Sequence, residues 1–235
     1  MINSNRSRNL THNLVDSLGF AIVSGEYSPD AGLPSEAEIC EKYQISRTAT
    51  REAVKMLAAK GMLTSRPRRG ITILSRDNWN LYDPDLLNWI LKSAPGPEIL
   101  RDFTHIRLAI EPQAAILACQ RAEASDLSVI EDTLFKMRKA EDGLDDYLEA
   151  DIAFHLSLLN ASHNPFMIQL RSFIETALRV SVRFTEQYNQ SRSSDVHDHN
   201  EIYRAIVAQD EQRAAEMCRK IHFKALEVIE SRLGK

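Results

Sequence analysis

Two serine caps in close succession, followed by a basic hairpin, constrain this fold more than any other feature of the sequence. Ser35 precedes one amphipathic segment and Ser46 the next, and serine is a preferred residue at the start of a helix. An earlier helical segment covers residues 10–23, where leucines recur at helical spacing. Residues 62–74 have the pattern of strand, tight turn and strand. Three helices and a hairpin predict a winged helix-turn-helix domain over residues 1–76.

The charge of this segment differs from that of the rest of the chain. The formal net charge is -4, yet residues 1–76 hold 11 Lys and Arg against 7 Asp and Glu, whereas the remainder holds 18 against 26. A basic region on an otherwise acidic protein indicates a polyanionic partner for that region alone. The alternative is a charged helix face that meets only solvent.

The order of the residues favours DNA as the partner. A helix-turn-helix places the N-terminus of its second helix in the major groove. Five side chains near that end are expected to reach base edges: Ser46, Arg47, Thr48, Thr50 and Arg51. Three hairpin arginines are expected to meet phosphates or a minor groove: Arg66, Arg68 and Arg69. The competing interpretation is a helical hairpin with charged residues facing solvent.

The rest of the sequence predicts helices only. Residues 77–97 contain an apolar patch with two tryptophans, and we interpret them as a linker with a short helix. Residues 98–235 show helical spacing without strand alternation, and they predict an all-α bundle. The expected fold class is therefore mainly α, an N-terminal winged helix-turn-helix plus a C-terminal all-α helical bundle.

Several polar residues fall on the apolar faces of the bundle helices. An unpaired buried charge costs several kcal/mol, so these groups need partners. One solution is a divalent metal, zinc, nickel or manganese, with Arg107 binding a ligand carboxylate. Its ligands would be Asp151, His155, His199 and His222. The other solution is a core of neutral histidines in which Arg107 pairs with Glu111.

Composition excludes several classes of protein. No apolar run approaches the roughly 18 residues of a membrane span, and the N-terminus has no stretch typical of a signal peptide. Three widely separated cysteines, Cys40, Cys119 and Cys218, do not form a disulfide framework. We therefore expect a cytoplasmic protein. No motif joins a nucleophile to a base, so an enzyme is not expected; a metal-dependent enzyme fused to a DNA-binding module is the remaining alternative.

The first segment resembles the winged-helix domain of the GntR family of transcriptional regulators. The resemblance rests on five stretches: Leu33-Pro34-Ser35-Glu36, Ser46-Arg47-Thr48, Arg51-Glu52-Ala53, Gly61-Met62-Leu63 and Arg66-Pro67-Arg68-Arg69-Gly70. It implies that Ser35, Arg47, Thr48 and Arg51 contact an operator and that Gly70 lies at the wing. Ala37 stands where a fatty-acid-responsive member of the family has a DNA-contacting arginine. The operator sequence of that member therefore does not carry over.

The second segment resembles the fatty-acid-regulator (FCD) branch of the same family. The matching residues are Arg107-x-x-x-Glu111-Pro112, Asp151-x-x-Phe154-His155 and His199. The resemblance implies a metal held by Asp151, His155, His199 and a histidine of the last helix. The usual fourth position is Ile221, so His222 needs a small shift in register. It also implies effector binding at Arg107, with Glu111, Asp151, His155 and His199 around it.

The resemblance extends to repressors of sugar-acid operons. It implies a homodimeric, cytoplasmic, DNA-binding transcriptional regulator, a repressor of a sugar-acid catabolic operon. Its partners would be a palindromic double-stranded operator and a small organic acid such as an aldonate or hexuronate, with no membrane involved. The alternative function is a metal-sensing regulator in which the ion itself is the effector.

Overall fold

The chain forms two compact units, residues 1–94 and 95–235, in a computed structural model that describes residues 2–29, 32–66, 70–93, 96–186 and 192–233. The first unit contains α1 (Ile2–Val23), α2 (Glu36–Tyr43), α3 (Arg47–Ala59), β1 (Leu63–Arg66), β2 (Gly70–Ile73), a 3-10 turn (Arg76–Asn78) and α4 (Pro84–Lys92). The second contains α5 (Pro97–Arg121), α6 (Ala124–Glu141), α7 (Tyr147–Ala161), α8 (Pro165–Gln169), α9 (Arg171–Glu186), α10 (Arg192–Val207) and α11 (Glu211–Glu230). The expected fold class is confirmed.

The helix-turn-helix is built by local hydrogen bonds at its helix ends. Ser35 caps α2, and Glu38 bonds back to the Ser35 backbone at 2.8 Å to complete the capping box. Gln44 ends α2 in the left-handed region, with φ of 50°. Ser46 then caps α3 by accepting a hydrogen bond from the backbone N–H of Ala49 at 3.3 Å. These bonds satisfy backbone donors that a helix leaves free, and they fix where α3 begins.

A glycine holds the wing close to the segment that follows it. β1 and β2 are antiparallel, with Leu63 opposite Ile73. Gly61, between α3 and β1, has φ of +76°, and a Cβ there would lie 2.1 Å from the carbonyl oxygen of Asn78. Both the backbone angle and the close approach require glycine at this position.

The segment interpreted as a linker contains α4, which packs on α1 within the first unit. The indole N–H of Trp89 donates to Asp16 Oδ1 at 3.1 Å, and the same ring lies against Gly19, which has no Cβ to obstruct it. Lys60, at the end of α3, donates to Asp83 at 2.7 Å and to Asp85 at 2.7 Å. These contacts connect α4 to both α1 and α3.

The second unit is a helical bundle in which α5 and α11 share the most extensive contact between two helices. Its apolar core includes Ile130, Leu134, Met137, Phe154 and Leu158, all fully buried. Two of its helices, α8 and α9, are separated at Leu170. Among the described residues, no helix combines the length and the apolar character needed to cross a membrane.

Candidate functional site

The first candidate site is the exposed N-terminus of α3. Ser46, Arg47, Thr48 and Arg51 are exposed there, as the prediction of a groove-facing helix end requires. The opposite face of α3 buries Ala53, Val54 and Leu57 in the first unit, so the exposed side chains stand on a rigid support. Arginine forks at the end of such a helix suit bidentate bonds to guanine.

Thr50 does not belong to this exposed set. Its side chain is 0% exposed, and its hydroxyl lies 3.2 Å from the carbonyl oxygen of Ser46 and 3.2 Å from Cys40 Sγ. The prediction that Thr50 reaches a base edge is wrong, because the side chain points into the interface of α2 and α3. Its hydroxyl instead joins these two helices.

Residues at the start of α2 flank the exposed end of α3. Glu36 accepts a hydrogen bond from Arg51 Nε at 2.9 Å, and this pair is largely exposed. Ser35 is exposed, but its hydroxyl is engaged with the Glu38 carboxylate at 2.7 Å. These hydrogen bonds hold the pKa of Glu38 below its ordinary value. Ser35 therefore has a capping role in the structure whether or not it also contacts DNA.

The wing presents part of the predicted basic tip. Arg66 is exposed at the end of β1, directly opposite Gly70 in the strand pair. Gly70 is exposed as well and has φ of +77°, a backbone conformation that favours glycine. Arg68 and Arg69, which the sequence assigns to phosphate or minor-groove contacts, lie outside the described residues.

The second candidate site is a polar cluster in the interior of the bundle. Arg107 and Glu111 come from α5, Asp151 and His155 from α7, His199 from α10 and His222 from α11. All six side chains are buried. Each pair on one helix is spaced by four residues, which places both members on the same helix face. The six polar residues that the sequence analysis selects therefore lie together in the fold.

Arg107 and Glu111 form a buried ion pair. Arg107 Nε donates to Glu111 Oε1 at 2.6 Å, and Nη2 donates to Oε2 at 3.4 Å. This is the pairing considered as the alternative to a ligand carboxylate. Breaking such a pair from one side leaves an uncompensated buried charge, which costs about 3–5 kcal/mol. Arg107 is therefore a structural residue of the bundle as well as a candidate effector contact.

Asp151, His155 and His199 converge on one point. Asp151 Oδ1 lies 3.3 Å from His199 Nε2 and 3.8 Å from His155 Nε2, and the two histidine nitrogens are 3.4 Å apart. Zinc binds such atoms at about 2.0–2.2 Å, so two ligands at a tetrahedral angle lie about 3.4 Å apart. The three residues fit one face of a divalent metal site.

Glu111 also approaches the far side of the His155 ring. Its Oε2 lies 2.6 Å from His155 Nδ1, although the contact lacks the alignment of a hydrogen bond. A carboxylate at the second nitrogen of a histidine commonly orients the first nitrogen toward a metal. Glu111 therefore lies behind His155, and its expected contact with an effector stays a prediction.

His222 lies beside this triad and not within it. Its Nε2 is 3.2 Å from Glu111 Oε2 and 3.7 Å from Cys218 Sγ, and its ring centroid is 5.9 Å from that of His155. The predicted ligand set of four is thus divided in the structure, because His222 faces Glu111. Sequence reasoning gave Cys218 no role, although its spacing of four residues from His222 on one helix was a usable signal.

The buried charges shift the acid–base properties of the cluster. Burial alone would raise the pKa of Glu111, but the charge of the adjacent Arg107 holds it well below its usual range. Burial likewise opposes the charge on Asp151, and His155 and His199 nevertheless keep its pKa below the ordinary value. Burial lowers the pKa of His222 to about 4, and Arg107 acts in the same direction. His222 is therefore a neutral imidazole at neutral pH.

Comparisons with known proteins agree with this two-part organisation. The profile of bacterial regulatory proteins of the gntR family matches residues 10–73, and the FCD domain profile matches residues 102–223. These two matches contain the candidate DNA-binding surface and the whole polar cluster, respectively.

Individual relatives cover nearly the whole chain. The galactonate operon transcriptional repressor of Escherichia coli K12 is 34% identical, over 86% of this chain and 89% of its own length. The uncharacterised regulator YieP of the same organism is 31% identical, over 91% and 93%. A Streptococcus agalactiae GntR structure superposes with a TM-score of 0.52 at 25% identity, over 92% and 99%. The chain is a DNA-binding transcriptional regulator, not an enzyme, and it belongs to the GntR family with an FCD domain.

Proposed function

We propose that the protein represses a sugar-acid catabolic operon and is released from its operator by a small carboxylate that binds, together with a divalent metal, inside the bundle. The observation that carries this proposal is the convergence of Asp151, His155 and His199 beside the Arg107–Glu111 pair. The similarity to a galactonate operon repressor supports the substrate class.

The charges of the cluster link metal and carboxylate. With neutral histidines, as metal binding requires, Arg107 is the one positive charge of the ion-free cluster, and Glu111 and Asp151 carry two negative charges in total. The buried cluster is then anionic, and it repels a carboxylate. A divalent ion changes the net charge to positive, so that one carboxylate neutralises the site. The effector is therefore expected to bind the metal-loaded protein only.

Each residue of the cluster has a defined part in this proposal. Asp151, His155 and His199 would hold the ion, which supplies an electrophilic position for carboxylate and hydroxyl oxygens of the effector. Glu111 orients His155 through Nδ1. Arg107 holds Glu111 in place and contributes positive charge near the incoming carboxylate.

Operator release needs a difference between two arrangements of the protein. A homodimer matches the two-fold symmetry of a palindromic operator, with one α3 in each half-site. The effector causes operator release only under one condition. It must bind more tightly to the arrangement that cannot dock on DNA than to the arrangement that can. The proposed function also places the protein in the cytoplasm, where it would meet both the operator and the metabolite.

A thermal-shift screen of the full chain tests the proposal. Aldonates and hexuronates are added to protein loaded with Ni²⁺ or Mn²⁺ and to chelator-treated protein. At ligand concentrations near 100 times Kd, binding adds about 2.7 kcal/mol, which corresponds to a rise in Tm of about 5–10 °C. We expect this rise only with metal, and the same acid should release a fluorescent operator duplex at fixed salt.

Two results contradict the proposal. If the acid stabilises the protein equally with and without chelator, effector binding does not require the metal. Operator release by chelator or metal alone, with no response to any acid, would favour the metal sensor. The Asp151→Asn/His199→Gln variant is the matched control, since it keeps the Arg107–Glu111 pair and removes two of the three ligands.

A further inference from the structure

We propose that Glu111, Cys218 and His222 form a second metal-binding site, suited to a thiophilic divalent ion such as Zn²⁺ or Cd²⁺ and distinct from the Asp151–His155–His199 triad. The inference concerns a different set of donor atoms, and it does not depend on an effector or on the proposed role as a repressor. Its basis is the geometry of three buried side chains on two helices.

The three donor atoms have the separations of a metal site. His222 Nε2 lies 3.2 Å from Glu111 Oε2 and 3.7 Å from Cys218 Sγ, and the three donor atoms all lie within 4.8 Å of one another. Zinc binds sulfur at about 2.3 Å and nitrogen at about 2.0–2.1 Å, so these two ligands lie about 3.6 Å apart at a tetrahedral angle. A carboxylate and an imidazole lie about 3.4 Å apart on the same basis.

The three residues are held by the largest helix pair of the bundle. Cys218 and His222 are four residues apart on α11, and Glu111 faces them from α5. All three side chains are fully buried. His222 Nδ1 has no hydrogen-bond partner among the described residues, so the ring meets polar groups mainly through Nε2. Ligands placed on packed helices hold their positions more closely than ligands on loops.

Charge balance favours a thiolate in this site. When an ion binds, the Cys218 thiol loses its proton to solvent. The buried charges are then Arg107 at plus one, the ion at plus two, and Glu111, Asp151 and the thiolate at minus one each, so the cluster is neutral. Two ions at once would leave a net charge of plus two in the interior, which is unfavourable. The chain therefore holds one ion at a time, and softer ions choose the sulfur-containing site.

Cobalt spectroscopy of the full chain tests this inference. Co²⁺ bound to a thiolate gives a sulfur-to-metal charge-transfer band in the near ultraviolet, whereas Co²⁺ at Asp151, His155 and His199 gives none. We expect the band in the wild-type protein at one equivalent of Co²⁺, and we expect Cd²⁺ to displace it. Cys218→Ala should abolish the band. Cys119→Ala, a change at another buried cysteine, should leave it intact.

A second pair of variants separates the two sites. Asp151→Asn/His199→Gln removes ligands of the triad only, and the charge-transfer band should persist in it. Absence of the band from the wild-type protein, or its persistence in folded Cys218→Ala, overturns the inference. Circular dichroism establishes folding, and Cys218→Ser replaces the alanine variant if that one does not fold. Stabilisation by sugar acids in the presence of Mn²⁺ is measured separately, so the proposed function can fail while this inference holds, and the reverse.

Discussion

The two units of the chain place their candidate functional residues in opposite environments. In the first unit, Arg47, Thr48 and Arg51 are exposed on a helix whose other face makes the core. In the second, Arg107 is 4% exposed and Glu111 is 0% exposed; the two contact each other, and Glu111 also contacts His155 and His222. At the surface, a functional side chain can change without altering the fold. In the bundle, the functional groups are themselves the polar part of the core.

The largest effect that tests this contrast is expected from Arg107→Ala. The substitution leaves the Glu111 carboxylate buried without its cation, and we expect a loss of about 3–5 kcal/mol in the free energy of unfolding. Urea denaturation of the metal-free protein measures it. Loss of induction in this variant is therefore not by itself evidence of effector contact.

The double variant Arg107→Ala/Glu111→Gln is the control for that experiment. It removes both charges, so a substantial part of the lost stability should return. An Arg107→Ala protein that unfolds within about 0.5 kcal/mol of the wild type, the usual range for surface substitutions, would contradict the contrast between the two units.

An intermediate effect is expected from Arg47→Ala, and it should concern DNA alone. Loss of a bidentate base contact costs about 1–3 kcal/mol, which is about 5- to 150-fold in operator affinity. The free energy of unfolding should stay within about 0.5 kcal/mol of the wild type, because Arg47 is exposed. Fluorescence anisotropy at fixed salt gives the affinity.

Lys55→Ala is a matched control, since Lys55 is an exposed cation two turns further along α3, paired with Glu52 at 2.8 Å. Suppose that the two variants lose the same affinity for the operator, and the same affinity for duplexes of unrelated sequence. Arg47 would then contribute only a positive charge that attracts DNA of any sequence. In that case it does not recognise a base.

The smallest effect is expected from Thr50→Val, and it should concern stability alone, whereas that of Arg47→Ala concerns DNA binding alone. Valine nearly matches threonine in shape but lacks the hydroxyl that contacts Ser46 and Cys40. We expect about 0.5–1.5 kcal/mol less stability and unchanged operator affinity. Chemical denaturation and operator anisotropy are measured on the same preparation. Weaker operator binding by a protein of unchanged stability would restore Thr50 to the DNA surface.

Local signals in the sequence predicted local structure well. The caps at Ser35 and Ser46 are each made by a side chain that bonds a backbone group three residues away, so the sequence contains both partners. Thr50 was misassigned although a local signal existed. It precedes Ala53 and Val54 by three and four residues, which places it on the buried face of α3.

The bundle cluster shows where such reasoning stops. Helical spacing identified Arg107, Asp151 and His155 as inward-facing polar residues, because periodicity depends on one helix at a time. Which of them meet depends on how α5, α7 and α11 cross, and no spacing in the sequence encodes that geometry. The contact of Glu111 with His155 and His222 follows from the crossing alone.

The close approach at Gly61 limits how a protein of this kind can change its target. With φ of +76° and the Asn78 carbonyl against it, Gly61 fixes the path from the recognition helix into the wing. The Cβ of any other residue at this position would displace the backbone at Asn78, which follows the wing. We therefore expect that the operator preference of such a protein changes through substitution of the exposed side chains of α3. A change in the orientation of α3 itself is not expected.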